Sequence, residues 1–280
     1  MPTLPANHFT MRGDFLVYDA KAAAIYRDRL FANYGHDFQD VGESFDHRSA
    51  RQWGRARSYH LRGWLPDDSN ARILDAACGS GKLLHFFSRR KYVNLAGIDI
   101  SPDQVALARQ VTPDVVQGNV LEHLEQMPES YDLITGYDIV EHFHKDEVLR
   151  FLDGCHSALR PGGRLVLQTP NADSPWGIGY IYGDFTHEVA FNPNALSLLL
   201  RLAGFCRIET REAGPVPWGN SAKSTLRYFI WQIIRVGLLS WNLAETGAKG
   251  SGILTRVFLI SAVKGKKDFG HDEFAGSQDP

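Results

Sequence analysis

The sequence predicts an α/β fold: a doubly wound, mostly parallel sheet of seven strands, with helices ahead of it and a helical insertion near its C-terminal end. Three observations predict this. Short apolar runs alternate with segments of helical period from residue 71 onward, the first run ends in a glycine-rich turn, and the second ends in an aspartate. The 280 residues, 44% hydrophobic and 22% charged, hold enough apolar material to fold by burial, which excludes a disordered or fibrous chain. Thirty basic against thirty-two acidic residues give a net charge of −2, so the broad positive field of a nucleic-acid binder is missing, although a local basic patch is compatible with it.

Residues 19–34 and 45–64 carry apolar side chains at helical spacing, so the first 65 residues read as an N-terminal helical lid. After a polar break at 66–70, the runs 71–77, 94–98, 115–117, 131–136 and 164–169 read as strands. Each is a short, mainly apolar run, and their alternation with helical segments suits a parallel sheet covered on both faces. Residues 170–192, rich in Gly, Pro, aromatics and acids, have the composition of an ordered functional loop. A helix over 193–203 stops at Gly204, strands follow at 205–211 and 253–263, and the helix 225–241 lies between them in a cap spanning 214–250. The core therefore runs from 66 to 263, and residues 264–280 form a polar tail.

Three widely spaced cysteines, Cys78, Cys155 and Cys206, offer neither a disulfide framework nor paired zinc motifs, and a reducing cytoplasm suits them. Residues 1–12 lack the apolar run of a secretory signal. The longest greasy stretch, 226–241, contains Arg227, Gln232 and Arg235 and is too short and too charged to cross a bilayer.

The chemistry concentrates where the strands end. Asp75-Ala76-Ala77-Cys78-Gly79-Ser80-Gly81 closes the first strand and opens a helix. Glycines there let a ligand approach the backbone, and the helix N-terminus offers free N–H groups. Eighteen residues past Gly81 the second strand ends in Asp99-Ile100-Ser101, where a carboxylate can accept both hydroxyls of a ribose. A dinucleotide site would want a third glycine three positions after Gly81, and Leu84 stands there.

This stretch resembles the glycine loop of class I S-adenosylmethionine-dependent methyltransferases, with Ala77 replacing the first glycine. Gln117-Gly118-Asn119-Val120, the fourth strand's edge from Tyr137 to His142, and the turn Leu159-Arg160-Pro161-Gly162-Gly163 match that family in order. The resemblance implies a Rossmann-like methyltransferase fold and S-adenosyl-L-methionine as cofactor. It places Asp75, Ala77, Gly79, Gly81, Asp99, Ile100, Asn119, Val120 and Tyr137 around that cofactor, with the Asn119 side-chain oxygen accepting from the adenine amino group.

Methyl transfer from a sulfonium is an in-line displacement, and a hydroxyl acceptor needs a base with a pKa near neutrality. Two groups qualify by position: Tyr137, Asp138, Glu141 and His142 after the fourth strand, and Asp184, Thr186, His187 and Glu188 in the loop after the fifth. His187 is the first choice as base, His142 the second, and Asp138 orients a base or takes the proton itself. No metal is assigned, since neither His142 with His144 nor Asp184 with His187 has a diagnostic spacing. Tyr34, His36 and Arg48 are placed to close over the cofactor.

Residues 184–191 with the helix that follows are similar to methyltransferases of bacterial surface-polysaccharide pathways. That resemblance implies O-methylation of a sugar hydroxyl on a small molecule or glycan. The alternatives are a small-molecule methyltransferase acting on a quinone, phenol or secondary metabolite, and a non-catalytic cofactor-binding protein. Broad apolar lining of the acceptor pocket favours the phenol, and convergent polar groups around His187 favour the sugar. Leu226, Phe229, Ile230, Ile233, Ile234, Gly237, Leu238 and Trp241 share one apolar helix face, while Arg227, Tyr228, Trp231, Gln232, Arg235 and Val236 put aromatic and basic groups on the other. Such a helix suits packing over the acceptor pocket, an anionic membrane surface met through Trp231 and Arg235, or a dimer contact. The expected location is cytoplasmic, with peripheral contact at the inner face of the membrane through 226–241 as the variant.

Overall fold

The computed structural model describes residues 42–265 together with the backbone of 9–12 and 15–18. Strands β1 (Phe9–Arg12) and β2 (Phe15–Tyr18) pair antiparallel, Arg12 opposite Phe15. This corrects the all-helical reading of the opening residues: two short β-prone runs flank a Gly-Asp dipeptide, the sequence signal of a two-residue hairpin. The helix expected over 19–34, with Tyr34 and His36, lies outside the described residues, as does most of the tail.

Then α1 (His47–His60), β3 (Arg72–Ala76), α2 (Lys82–Arg89), β4 (Asn94–Asp99), α3 (Pro102–Ala108), β5 (Val115–Gln117), α4 (Val120–Glu125) and β6 (Tyr131–Tyr137) alternate as the sequence predicts. A 3-10 turn over Val140–His142 leads to α5 (Lys145–Ala158), β7 (Leu159–Pro170), α6 (Gly177–Ile181), α7 (Pro193–Leu202), β8 (Phe205–Glu212), α8 (Ala222–Thr246) and β9 (Val257–Lys264). The seven-stranded sheet has the order β5-β4-β3-β6-β7-β9-β8. Its first five strands run parallel and β9 is antiparallel to both neighbours.

Both faces are covered, which is why the strands are mainly apolar. Ile73 packs with Leu61, Trp64, Leu84 and Phe87 on one side, whereas its neighbour Leu74 packs with Leu124, Phe151 and Leu196 on the other. Gly97 on β4 is required by this packing, because a Cβ there would lie 2.9 Å from both Cys78 Sγ and Leu84 Cδ1. The Leu159–Gly163 segment, read as a turn before the fifth strand, joins β7 through a register shift opposite Tyr131 and Leu133. Strand β9 starts later than predicted, because the carbonyls of Ile253 and Thr255 accept from Asn171 Nδ2, and Leu254 N–H donates to Glu212.

Helix α8 turns the opposite way from a cap packed on its greasy face. Tyr228, Trp231, Arg235 and Leu238 are partly buried, while Leu226, Phe229, Ile233 and Trp241 are each about 60% exposed or more. Polar partners fix this choice: Trp231 Nε1 donates to Glu212 (2.9 Å), and Arg235 donates to the Gly252 carbonyl (2.9 Å). Among the described residues no helix is long and apolar enough to cross a membrane.

Candidate active site

A cleft of about 880 Å3 opens beyond the carboxyl ends of β3, β4, β5 and β6, where a doubly wound sheet places its ligands. Eight of the nine residues assigned to the cofactor line it: Asp75, Ala77, Gly79, Asp99, Ile100, Asn119, Val120 and Tyr137. Gly81 stands just behind, capping α2 at φ +85°, and a Cβ there would press to 3.0 Å from the Ala108 backbone. Ala77 occupies the left-handed region at φ +62°, which explains the glycine usual at that position and stores about 1 kcal/mol or more of backbone strain at the site.

Asp99 organises the loop. Its Oδ2 accepts from Gly79 N–H (2.8 Å) and its Oδ1 from Ser101 N–H (2.9 Å), leaving further lone pairs on each oxygen for a sugar diol. Burial raises its pKa against those two backbone bonds. Asn119 departs from the expected role: its Oδ1 caps α4 by accepting from Leu121 N–H (2.9 Å), so an adenine amino group would have to share that oxygen. At the cleft wall the buried Tyr137 hydroxyl, near the Arg57 guanidinium, meets no geometric hydrogen-bond partner among the described residues. A loop of backbone amides, a ribose-competent carboxylate, a buried hydroxyl and buried acids for cationic groups fit a sulfonium nucleoside carrying an amino acid.

Asp75 lies beneath the loop, 2% exposed, and accepts from Thr135 Oγ1 (2.9 Å). Burial, opposed by the Thr135 bond and aided by the Asp99 charge, pushes its pKa from 3.8 up to about 8. The folded state therefore retains a proton over that interval while the unfolded chain has released it, so this group's contribution to stability falls as pH rises. Asp75→Asn, which keeps the Thr135 acceptor, removes the titration. The variant's melting temperature relative to the parent should climb between about pH 4 and about pH 8; a difference independent of pH would show that Asp75 is not protonated in the native state.

The acceptor side is built from β6, the 3-10 turn and the loop 170–192. Asp138 sits at φ +51° after β6, and Gln168 Nε2 donates to both its oxygens at 3.1 and 3.0 Å. Arg57 on α1, lying 4.2 Å over the Trp53 ring, donates to Gln168 Oε1 at 3.0 Å and completes a relay from the N-terminal helix to the site. Burial raises the pKa of Asp138 despite Gln168 and Arg57, and raises that of Glu141 further beside the Asp138 charge.

The two candidate groups converge. Glu188 and Val189 N–H both donate to the Glu141 carbonyl, fastening the loop to the turn. The rings of His142 and His187 meet edge to face with centroids 4.8 Å apart. His187 Nδ1 donates to the Ile181 carbonyl (2.8 Å), which leaves the Nε2 lone pair as the basic site, 4.0 Å from Asp184. His142 Nδ1 faces the Thr186 carbonyl (3.2 Å) and hydroxyl (3.0 Å). Burial pushes the Asp184 pKa up, but the Thr186 hydroxyl and N–H and the two histidines carry it below the usual value. Glu141, whose Oε1 is buried without a partner, groups with His142 and His187, their ligand atoms within 4.8 Å of one another. That trio has the donors to hold a divalent ion, a grouping the spacing of His142 with His144 or Asp184 with His187 did not reveal.

Trp53, Phe143, Gln168 and Tyr180 also line the cleft and were not anticipated. Gln168 carried a legible signal, a lone amide in an apolar strand. Arg48, expected to close over the cofactor, lines a different cavity.

A family model described as a methyltransferase domain matches residues 45–210, more than half of the chain. The chain belongs to this methyltransferase family. The methyltransferase is similar to the ubiquinone biosynthesis O-methyltransferase of Xylella fastidiosa, 27% identical over 176 residues that cover 57% of this chain and 70% of that protein. Its counterpart from Xanthomonas campestris pv. campestris is 29% identical over 174 residues, covering 56% and 72%. Among solved structures, an S-adenosylmethionine-dependent methyltransferase from Archaeoglobus fulgidus superposes with a TM-score of 0.56 at 20% identity, covering 77% of this chain and 94% of that one. The phosphoethanolamine N-methyltransferase 2 of Haemonchus contortus, in complex with S-adenosyl-L-methionine, gives 0.57 at 18%, covering 84% and 60%. Both structural likenesses concern the fold.

Proposed function

We propose that the protein is an S-adenosylmethionine-dependent O-methyltransferase whose acceptor is the hydroxyl of a small molecule, a phenol or quinone precursor. S-adenosyl-L-methionine is the cofactor and supplies an electrophilic methyl group when bound. Asp99 holds the ribose, the Cys78–Gly81 backbone encloses the methionine half, and Ile100 and Val120 flank the adenine. His187 takes the acceptor proton through Nε2, with the Ile181 carbonyl fixing the ring, and Asp138 and Asp184 favour the imidazolium that forms. Trp53, Phe143 and Tyr180 supply apolar walls for an aromatic ring.

The fixed, basic Nε2 of His187 in a cleft shared with Asp99 carries this reading. The O-methyltransferase relatives support a small-molecule acceptor more than the sugar that the loop sequence suggested. The polar convergence of Asp138, Glu141, His142 and Asp184 about His187 is what favours the sugar. Methyl transfer from labelled cofactor to a panel of catechols and hydroxybenzoates beside free and nucleotide-linked sugars tests both. Turnover with a catechol is expected, and turnover with sugars alone would reverse the assignment.

An apolar acceptor also gives the outward face of α8 a role at an anionic membrane, since no carboxylate occurs between Glu212 and Glu245 while the exposed Lys223 and Arg227 do. Because Trp231 and Arg235 face inward, the residues to change are Ile233 and Trp241. Flotation with anionic vesicles should be lost in Ile233→Glu/Trp241→Glu, and a parent chain that does not float at low salt ends this role.

A further inference from the structure

Away from the cofactor cleft, α1 carries Arg48, Arg51 and Arg55 along one face, and the end of α2 adds Arg89 and Arg90. These five arginines, with Gln52, Ser58 and His85, line a second cavity of about 730 Å3 floored by Ala50, Gly54 and Phe86. Among the described residues no carboxylate lines it. In a chain with more acidic than basic residues, five exposed guanidinium groups converge here with no ion pair to any described residue. Asp46, the acid nearest to Arg48 in sequence, accepts from the N–H groups of Arg48 and Ser49 through Oδ1 as the N-cap of α1.

A second observation points into the same cavity. His85 is only 6% exposed and its Nδ1 has no hydrogen-bond partner. Burial, His47, Arg89 and Arg51 all lower its pKa, so these neighbours disfavour a charged ring there. A buried polar atom without a partner among the described residues, beside five cations in no ion pair there, suits an anion.

We propose that the groove between α1 and α2 binds a ligand bearing adjacent phosphate groups, a diphosphate-type anion. Arginine forks match phosphate oxygens two at a time, and arginines from two helices can embrace neighbouring phosphates. Convergence on one concavity, rather than a stripe along the surface, selects a compact anion over a polymer. The volume also leaves room for an organic body against Phe86, whose ring Arg90 already covers at 4.8 Å. No residue lines both cavities, yet Trp53 of α1 and Lys82 and Leu83 of α2 reach the cofactor cleft, so the two sites share their walls. The same chemistry is offered by a soluble diphosphate and by a phospholipid headgroup.

Calorimetry of the full chain with inorganic pyrophosphate at low salt separates this site from the methyl-transfer reading. Saturable binding is expected, at least about tenfold weaker in Arg51→Ala/Arg89→Ala, since each change removes a charge-assisted contact. S-adenosylhomocysteine affinity should stay unchanged, and the ring resonances of His85 should move on addition of pyrophosphate. A vesicle arm with phosphatidylglycerol identifies the source: flotation lost in the double variant and competed by pyrophosphate assigns the headgroup, and its absence beside pyrophosphate binding assigns a soluble ligand. Both substituted residues are exposed, so the fold is retained, which thermal melting checks. Failure of pyrophosphate and vesicles alike, binding indifferent to the two arginines, or binding confined to oligonucleotides would each overturn the proposal.

Discussion

Asp99→Ala should lower the affinity for S-adenosylmethionine by about a hundredfold or more. Two ribose hydroxyls bonded to one ionised carboxylate contribute about 1.5–3 kcal/mol each, and about 1.4 kcal/mol corresponds to a factor of ten. The substitution acts twice, because the same carboxylate also takes the N–H groups of Gly79 and Ser101 and so holds the glycine loop against the end of β4. Asp99→Asn separates the two effects. It keeps the shape and one oxygen acceptor but loses the charge, so its affinity should fall between those of the parent and the alanine variant. Calorimetry with the cofactor reads both, and thermal melting shows whether the loop has come loose. Affinity unchanged in the alanine variant would remove Asp99 from the cofactor site, and with it the functional assignment of the cleft.

How much of this was legible beforehand depended on whether the signal was local. Strands β3, β4 and β6 are legible because burial on both faces makes them mainly apolar, and the glycine loop because Gly79 and Gly81 lie between a strand and a helix. Composition alone marked 170–192 as functional, and it supplies His187 and Asp184. What stayed hidden depends on residues far apart in the chain. Arg57 reaches Gln168 across 111 positions, and Gln168 reaches Asp138 across 30, so no local pattern displays the relay. The basic groove likewise divides its arginines between α1 and α2, and in the sequence neither set stands out from ordinary surface charge. Helix α8 misled for a different reason. Its period identified an apolar face correctly, but the side that packs was chosen by Glu212 and the Gly252 carbonyl, which lie outside the helix. Asn119 was recognised as a site residue while its capping role went unread, although an Asn just before a helical run carries that meaning too.

His187→Ala should reduce turnover by about a hundredfold to ten-thousandfold, the range a positioned general base contributes, while the cofactor affinity stays within about twofold. Three features single out His187 against its rivals. The Ile181 carbonyl accepts from Nδ1, so the tautomer that presents Nε2 to the cleft is fixed by the fold. Asp138, the carboxylate candidate, has both oxygens engaged by Gln168 before any acceptor arrives, so it is tied to the wall rather than presented to the acceptor. His142 turns Nδ1 toward Thr186, whose hydroxyl is in turn anchored on Asp184, so its ring braces the loop that carries His187. His142→Ala should accordingly cost less turnover than His187→Ala and also loosen the loop, which increased proteolysis between 170 and 192 would reveal. His187→Gln distinguishes base from brace: glutamine can still bond the Ile181 carbonyl but cannot accept the acceptor's proton at neutral pH. If His187→Gln kept the parent's turnover, His187 would be a loop residue, and the proton would have to leave through His142.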